Sequence, residues 1–400
     1  MPRSGWVKPA SDRRLSDLVS IGLLTRVFPP GVIDEAIDEA GRREIRNRVL
    51  PARVMVYFAI GMAMYSEGAY EDIFSQLSDG LSWSKGWSES LKPPSKSALF
   101  QARLRLGSEP LRKLFAKVVS PLATSDTPGS WFATRRVMAI DGTCLDIADT
   151  VANETHFGRP PSSRGDRSAF PQARIVALAE CGTHAIIDAV VGPCTTSEVE
   201  LTRELISRLH PGMLVLADRG LYGFDLWGKA ADTGADLLFR VKSTLSPHHE
   251  QTLEDGSWIA SIKPTSGTGR HQREPHRVRV IDYTVNGDER YRLITTLLNP
   301  SVAPAEGLAR LYAERWEIET TFDELKTHQR GSREVLRSKS PELIYQEIWG
   351  HLCCHYAIRV LMANTAEHSG HDPDRISLVA DLRIVRHSVA KDDFPPGGNS

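Results

Sequence analysis

LYAERWEIETTFDELKTH, residues 311–328 of a 400-residue chain, scans as an amphipathic helix. Leu311, Ile318, Phe322 and Leu325 recur at helical spacing and make one apolar stripe. Beside that stripe lie Tyr312, Arg315, Glu319 and Lys326, which at about 100° per residue share an arc of roughly 60°. Polar residues opposite an apolar stripe are solvated surface, whereas polar residues along its border are half-buried, where a site can form. Spacing alone also admits a plainer reading, because Arg315 and Glu319 are an i,i+4 ion pair worth only a few tenths of a kcal/mol.

Upstream, short apolar runs alternate with helical patterns. RRVMAIDGTCLDIAD (135–149) is strand-like and leads through Val137, Ala139 and Ile140 to Asp141 at what reads as the strand end. A polar Gly/Pro-rich connection follows at 151–172, then a hairpin at 173–192, a helix at 197–210 and the strand MLVLAD (213–218) ending at Asp218. A helix at 224–234 and a strand at 236–241 complete the series. Three strands in hairpin linkage, then helix, strand, helix, strand, is the order of an α/β ribonuclease H-like core. Residues 243–292 break the pattern with β-like patches at 257–263 and 276–285 and read as an all-β insertion between the second Asp and the Glu. HHE at 248–250 reads as solvated loop. RLITTLL (292–298) returns to the core as a strand.

Before the core, residues 11 to about 120 form an all-helical N-terminal domain, with breaks at Pro29-Pro30-Gly31 and in the loop-rich tract 78–97. SKSALFQARLRLG (95–107) has a Ser cap and a cationic face, which reads either as a decorated surface helix or as a helix laid against DNA backbone with Lys96, Arg103 and Arg105 as candidate phosphate contacts. The domain boundaries that follow are 11–130 (helical, with a cationic face suited to DNA backbone), 134–242 (core, first part), 243–292 (β-rich insertion) and 293–370 (last core strand and C-terminal helices). A long amphipathic helix is expected at 341–368, and the tail 388–400 carries too few apolar residues to fold.

Composition bounds the function classes. With 41% hydrophobic and 25% charged residues the chain is ordinary for a soluble protein, and no apolar run of about 18 residues exists to span a membrane. The N-terminus lacks the apolar centre of a signal peptide, and five cysteines without a C-x-x-C pair point to a reducing cytoplasm. A net charge of −1 disfavours a nonspecific polyanion binder, although the basic cluster at 42–53 leaves local DNA contact open. His351 and His355 stand i,i+4 around Cys353 and Cys354, without third and fourth ligands nearby to complete a zinc site.

The spacing Tyr-x2-Arg-x3-Glu-x6-Lys at 312–326, with IDGT around Asp141 and ADRGLYGF from Ala217, resembles the bacterial insertion-sequence DDE transposases of the insertion element 4 family. The resemblance covers about residues 15 to 370. It implies that Asp141, Asp218 and Glu319 are the catalytic, metal-holding carboxylates, although Asp146, Asp149 and Asp188 compete for these roles on sequence alone. It also implies that Tyr312, Arg315 and Lys326 hold DNA phosphates, with Arg219 a further candidate. Two Mg²⁺ (or Mn²⁺) ions about 3.5–4 Å apart activate a nucleophile and relieve charge on the leaving oxygen, and hard cations call for carboxylate oxygens. The implied partners are double-stranded terminal inverted repeats and target DNA, with a dimer in the synaptic complex and no membrane. In relatives that cut through a hairpin, a flipped base stacks on an aromatic of the β insertion, where Trp258 is the one Trp. Rival readings are a decayed or domesticated copy that binds ends without cutting, and a nonmobile ribonuclease H-like nuclease. Terminal inverted repeats flanking the gene separate a mobile element from both.

Overall fold

Alternating and fully apolar strands dictate a sheet buried on both faces, and the computed structural model has one. It describes residues 22–45, 50–66, 68–75, 77, 94–160, 168–264, 274–285, 289–313, 315–323, 325–326, 335–369 and 373. The expectations for residues 11–21, for most of the loop-rich tract 78–97, for the connection at 161–167 and for the tail 388–400 lie outside these residues.

The N-terminal helices described are α1 (Pro30–Glu39), α2 (Ala52–Met64), α3 (Lys96–Leu106) and α4 (Glu109–Val118). The sheet contains β1 (Trp131–Phe132), β2 (Arg135–Asp146), β3 (Gln172–Glu180), β4 (Ile186–Pro193), β5 (Met213–Ala217), β6 (Asp236–Val241), β7 (His248–Thr252), β8 (Trp258–Ile262), β9 (His276–Val285) and β10 (Glu289–Thr295). Helix α5 (Val151–Phe157) follows β2, α6 (Glu198–Leu205) joins β4 to β5, and α7 (Phe224–Ala231) joins β5 to β6. Past the sheet come α8 (Ala305–Ala313), α9 (Trp316–Asp323) and α10 (Pro341–Ser369).

The strand order is β4-β3-β2-β5-β6-β10-β9-β8-β7, with β1 paired to β2. Strands β2, β5 and β6 run parallel at the centre, flanked by antiparallel pairs. Strands β7, β8 and β9 continue the same hydrogen-bonded sheet beyond β10. Side chains alternate across a strand. Val137 and Ala139 therefore join the core that holds Tyr312, Ile318 and Phe322, while Met138 and Ile140 join the core that holds Leu201, Leu205 and Trp227.

Three local readings need correction. Asp141 lies inside a twelve-residue strand rather than at its end. What stops there is the partner: the parallel ladder with β5 ends at Ile140 beside Ala217. The connection after β2 holds a helix, α5, because Thr150 caps the Asn153 N–H and Phe157 is fully buried. Residues 248–250 are strand, exposed along the sheet edge.

Helix α2 is apolar nearly all round and almost wholly buried, as such a helix must be. It crosses α10 at Gly350, where a Cβ would come within 2.6 Å of the Ala59 carbonyl oxygen. Beside that crossing Arg103 of α3 is fully buried. Its guanidinium donates to Gln346 Oε1 (2.8 Å), the Tyr70 hydroxyl (2.5 Å) and Ser338 Oγ (3.0 Å). Arg103 is thus an internal rivet and no surface phosphate contact, whereas Lys96 and Arg105 are exposed.

Candidate active site

Because β2 and β5 are parallel neighbours in the register Ile140↔Ala217, the next residue on each chain, Asp141 and Asp218, emerges at the same level of the sheet. Strand alternation turns Asp141 to the face covered by α8 and α9. Its carboxylate accepts from the Gly142 N–H (2.8 Å) and from Arg315 Nη1 (3.2 Å). Arg315 Nη2 donates to Glu319 Oε1 at 2.8 Å, so one guanidinium spans two of the three carboxylates. Tyr312 donates its hydroxyl toward Asp218 Oδ1 (3.2 Å), with the Ala217 carbonyl oxygen at 3.4 Å.

The helix expected through residue 328 is broken where Arg315 turns inward. Arg315 N bonds the Tyr312 carbonyl and Ile318 N bonds the Arg315 carbonyl, a three-residue spacing tighter than α-helix. The segment therefore enters as α8, resets at Arg315 and leaves as α9 with Glu319. Lys326 is half-buried beyond the end of α9.

Burial sorts these groups. The side chains of Asp141, Asp218 and Glu319 are 19%, 31% and 40% exposed, so all three carboxylates reach solvent, while Arg315 at 5% does not. Burial pushes the Asp141 carboxyl up to about 6, against the pull of the Gly142 N–H and Arg315. Desolvation likewise raises the Tyr312 phenol, which stays a hydrogen-bond donor at neutral pH. The competing acids are engaged elsewhere: Asp146 accepts from Gln172, Asp149 pairs with Arg159, and Asp188 pairs with Arg208.

One cation near the site escaped sequence reasoning. Arg240 of β6 reaches 4.0 Å from Asp218 Oδ1 and lies over the Tyr291 ring at 3.7 Å. The signal was available, since Arg240 is the single charge between apolar residues in LLFRV. Trp258 is half-buried and stacks on His249, with ring centroids 5.3 Å apart. Arg219 is exposed next to Asp218.

Among the described residues no three Asp, Glu, His or Cys side chains converge closely enough to ligate one ion as they stand. The donor set still suits hard divalent cations. It is all carboxylate, two such ligands suffice for Mg²⁺ when waters complete the shell, and the gap between Asp141 and Glu319 already takes a positive charge.

Two aspartates thus lie level beside adjacent parallel strands, and a glutamate from a helix on one side of the sheet shares an arginine with the first of them. Residues 132–357 match the family model for the transposase DDE domain, and residues 18–116 match that for the insertion element 4 transposase N-terminal region. The chain belongs to the insertion element 4 family of DDE transposases. It is a DNA transposase, an enzyme of DNA cleavage and strand transfer, and domains of this family depend on divalent cations. It is 29% identical over 362 residues to "Transposase InsG for insertion sequence element IS4" of Escherichia coli K12, covering 89% of this chain and 80% of that one. It is 23% identical over 226 residues to "Putative transposase InsZ" of the same organism, covering 56% and 73%. Among solved structures it is similar to a piggyBac transposase synaptic complex with hairpin DNA, at 13% identity and a TM-score of 0.46, covering 93% and 79%. Among the described residues no helix is long and apolar enough to cross a membrane.

Proposed function

We propose that Asp141, Asp218 and Glu319 are the catalytic carboxylates and that they hold two Mg²⁺ or Mn²⁺ ions at the ends of an insertion sequence. The observation that carries this reading is the double ion pair of Arg315 with Asp141 and Glu319, beside an Asp218 held by Tyr312. Bound there, the ions supply an activated water or 3′-hydroxyl and relieve charge on the departing oxygen.

The chain's own groups divide the remaining work. Asp141 and Glu319 would hold the ions through the oxygens that Arg315 now pairs, and Asp218 through the carboxylate that Tyr312 steadies. Tyr312 steadies the Asp218 carboxylate by its hydroxyl. Arg315 neutralises Asp141 and Glu319, and with ions on these acids its bidentate fork would be available to a DNA phosphate. Lys326 adds a point charge to the same backbone, and Arg240, steadied by the Tyr291 ring, a second guanidinium on the Asp218 side. Phosphate contacts of this kind orient the end without reading its sequence.

The helical segment before residue 130 grips the ends, with Lys96 and Arg105 on its exposed cationic side. The β7–β9 strands form the insertion between Asp218 and Glu319, and half-buried Trp258 offers a stacking face to a displaced base. Joining two ends at once calls for a dimer on the DNA.

The test is a plasmid carrying the gene's flanking ends, incubated with the protein and Mg²⁺ or Mn²⁺ beside Glu319→Gln. Metal-dependent cuts at the ends that disappear in the variant are expected. End binding without cleavage by either protein would remove the catalytic assignment and leave a DNA-binding relic.

A further inference from the structure

Gly142 follows Asp141 on β2, and a Cβ at this position would lie 2.8 Å from both Cγ and the carboxyl carbon of Glu198 and 3.0 Å from its Oε1. Real Cβ atoms are not found so close to other heavy atoms. Only the absence of a side chain at 142 lets Glu198 rest against this point of the strand.

Glu198 is the first residue of α6, after the cap residue Ser197, whose side chain accepts from Glu200 N. An acidic residue in a first turn ordinarily serves the helix dipole. Glu200 also stands in that turn, and it is exposed. Serving the dipole needs no contact with β2, so it leaves the approach to Gly142 unexplained. Among the described residues no cation pairs with Glu198.

The direction of approach matters. Neighbouring residues on a strand face opposite sides, so Glu198 reaches β2 from the α6 face while Glu319 reaches it from the α9 face. Strand β5 ends beside Ile140, so at Asp141 and Gly142 this edge of β2 has no β5 partner between the two faces. Glu198 over Gly142, and Glu319 linked to Asp141 through Arg315, thus bring two further carboxylates to this point of β2 from its two faces. Like charges gathered about one carboxylate raise the cost of the metal-free state and favour a bound cation.

We propose that Glu198 is a fourth carboxylate of the metal centre, contributing charge to the ions from the α6 face through the gap that Gly142 leaves. The proposal rests on the catalytic reading of Asp141, Asp218 and Glu319. It extends that triad by a residue lying outside the Tyr-Arg-Glu-Lys signature and outside both Asp blocks.

The test is Mn²⁺ binding, read by loss of the free-ion electron paramagnetic resonance signal, with the full chain on a pre-cleaved duplex of its own end. Wild type is compared with Glu198→Gln, Glu198→Asp, Glu200→Gln and Asp141→Asn, each checked for fold by circular dichroism and melting. Glu198→Gln is expected to weaken Mn²⁺ binding about tenfold or more. Glu198→Asp should recover part of it, and Glu200→Gln should match wild type. Gly142→Ala, which fills the place of the Glu198 carboxyl, should repeat the Gln phenotype. Wild-type affinity in Glu198→Gln, with binding lost in Asp141→Asn, overturns the role of Glu198 and leaves the triad standing. Binding indifferent to Asp141→Asn overturns the triad, and Glu198 with it.

Discussion

Two buried arginines, Arg103 and Arg315, show what separates the α10 hub of this protein from its acidic centre. Arg103 is fully enclosed and satisfied by neutral acceptors: a side-chain amide, a phenol, a serine hydroxyl and the Leu343 carbonyl. All of these are neutral groups for which a divalent ion does not compete, so the guanidinium is locked and the hub is structural. Arg315 is nearly as buried, but its acceptors are two carboxylates that remain open to solvent. A divalent ion held by these acids, as proposed, would compete with Arg315 for the same oxygens. Burial of an arginine is therefore no sign of its role; the chemistry and accessibility of its acceptors decide it.

The largest effect should come from the acidic centre. Asp141→Asn, Asp218→Asn and Glu319→Gln should each lower end cleavage by about a thousandfold or more, on the scale of losing a catalytic group. Retention of end binding in a mobility-shift assay would show that only chemistry is lost; loss of binding as well would make these acids structural, like the hub. Arg103→Met should do the reverse. It strands the Gln346, Ser338 and Tyr70 acceptors and should cost about 3 kcal/mol or more of folding stability in urea titration. Unchanged stability would mean that these acceptors find other partners and that the hub is no rivet.

A finer comparison uses Tyr312→Phe, which removes one hydrogen bond to a carboxylate, worth about 1.5 kcal/mol. Cleavage should fall roughly tenfold at unchanged end affinity; wild-type cleavage would show that Asp218 needs no positioning. A pH slope tests the hub in turn. Burial pushes His355 down to about 3, with the charge of His184 acting in the same direction. The folded state thus binds fewer protons than the unfolded one between that value and 6.5. Its contribution to stability is present above pH 6.5 and is lost as pH falls, at about 1.4 kcal/mol per pH unit. Urea titrations of His355→Gln between pH 6.5 and 4 should show a shallower dependence than wild type; equal slopes would assign the acid sensitivity to other groups.

Much of the architecture was legible because strand and helix periods are local. DLLFRV and HRVRVIDYTV coincide with β6 and β9, and the Ser95 side chain caps α3 by accepting from Ala98 N. The missed elements depend on partners distant in sequence. Helix α5 is pinned by Asn153 donating to the Ser338 carbonyl, 185 residues away, and Arg103 looked like surface because Gln346 and Ser338 are more than 200 residues downstream. The break at Arg315 belongs to the same kind, since an ion pair with Asp141 draws it off the helical path.

By itself the sequence determined which acids and cations are present, the family they belong to and the local course of most strands, because spacing and turn chemistry act over a few residues. Tertiary structure alone decided that Asp141 and Asp218 lie level, that Arg315 closes on two carboxylates instead of facing outward, and that Glu198 reaches β2 over a glycine. Those outcomes depend on strand register and on which faces pack together, and both are set by long-range burial that no single stretch of the chain encodes.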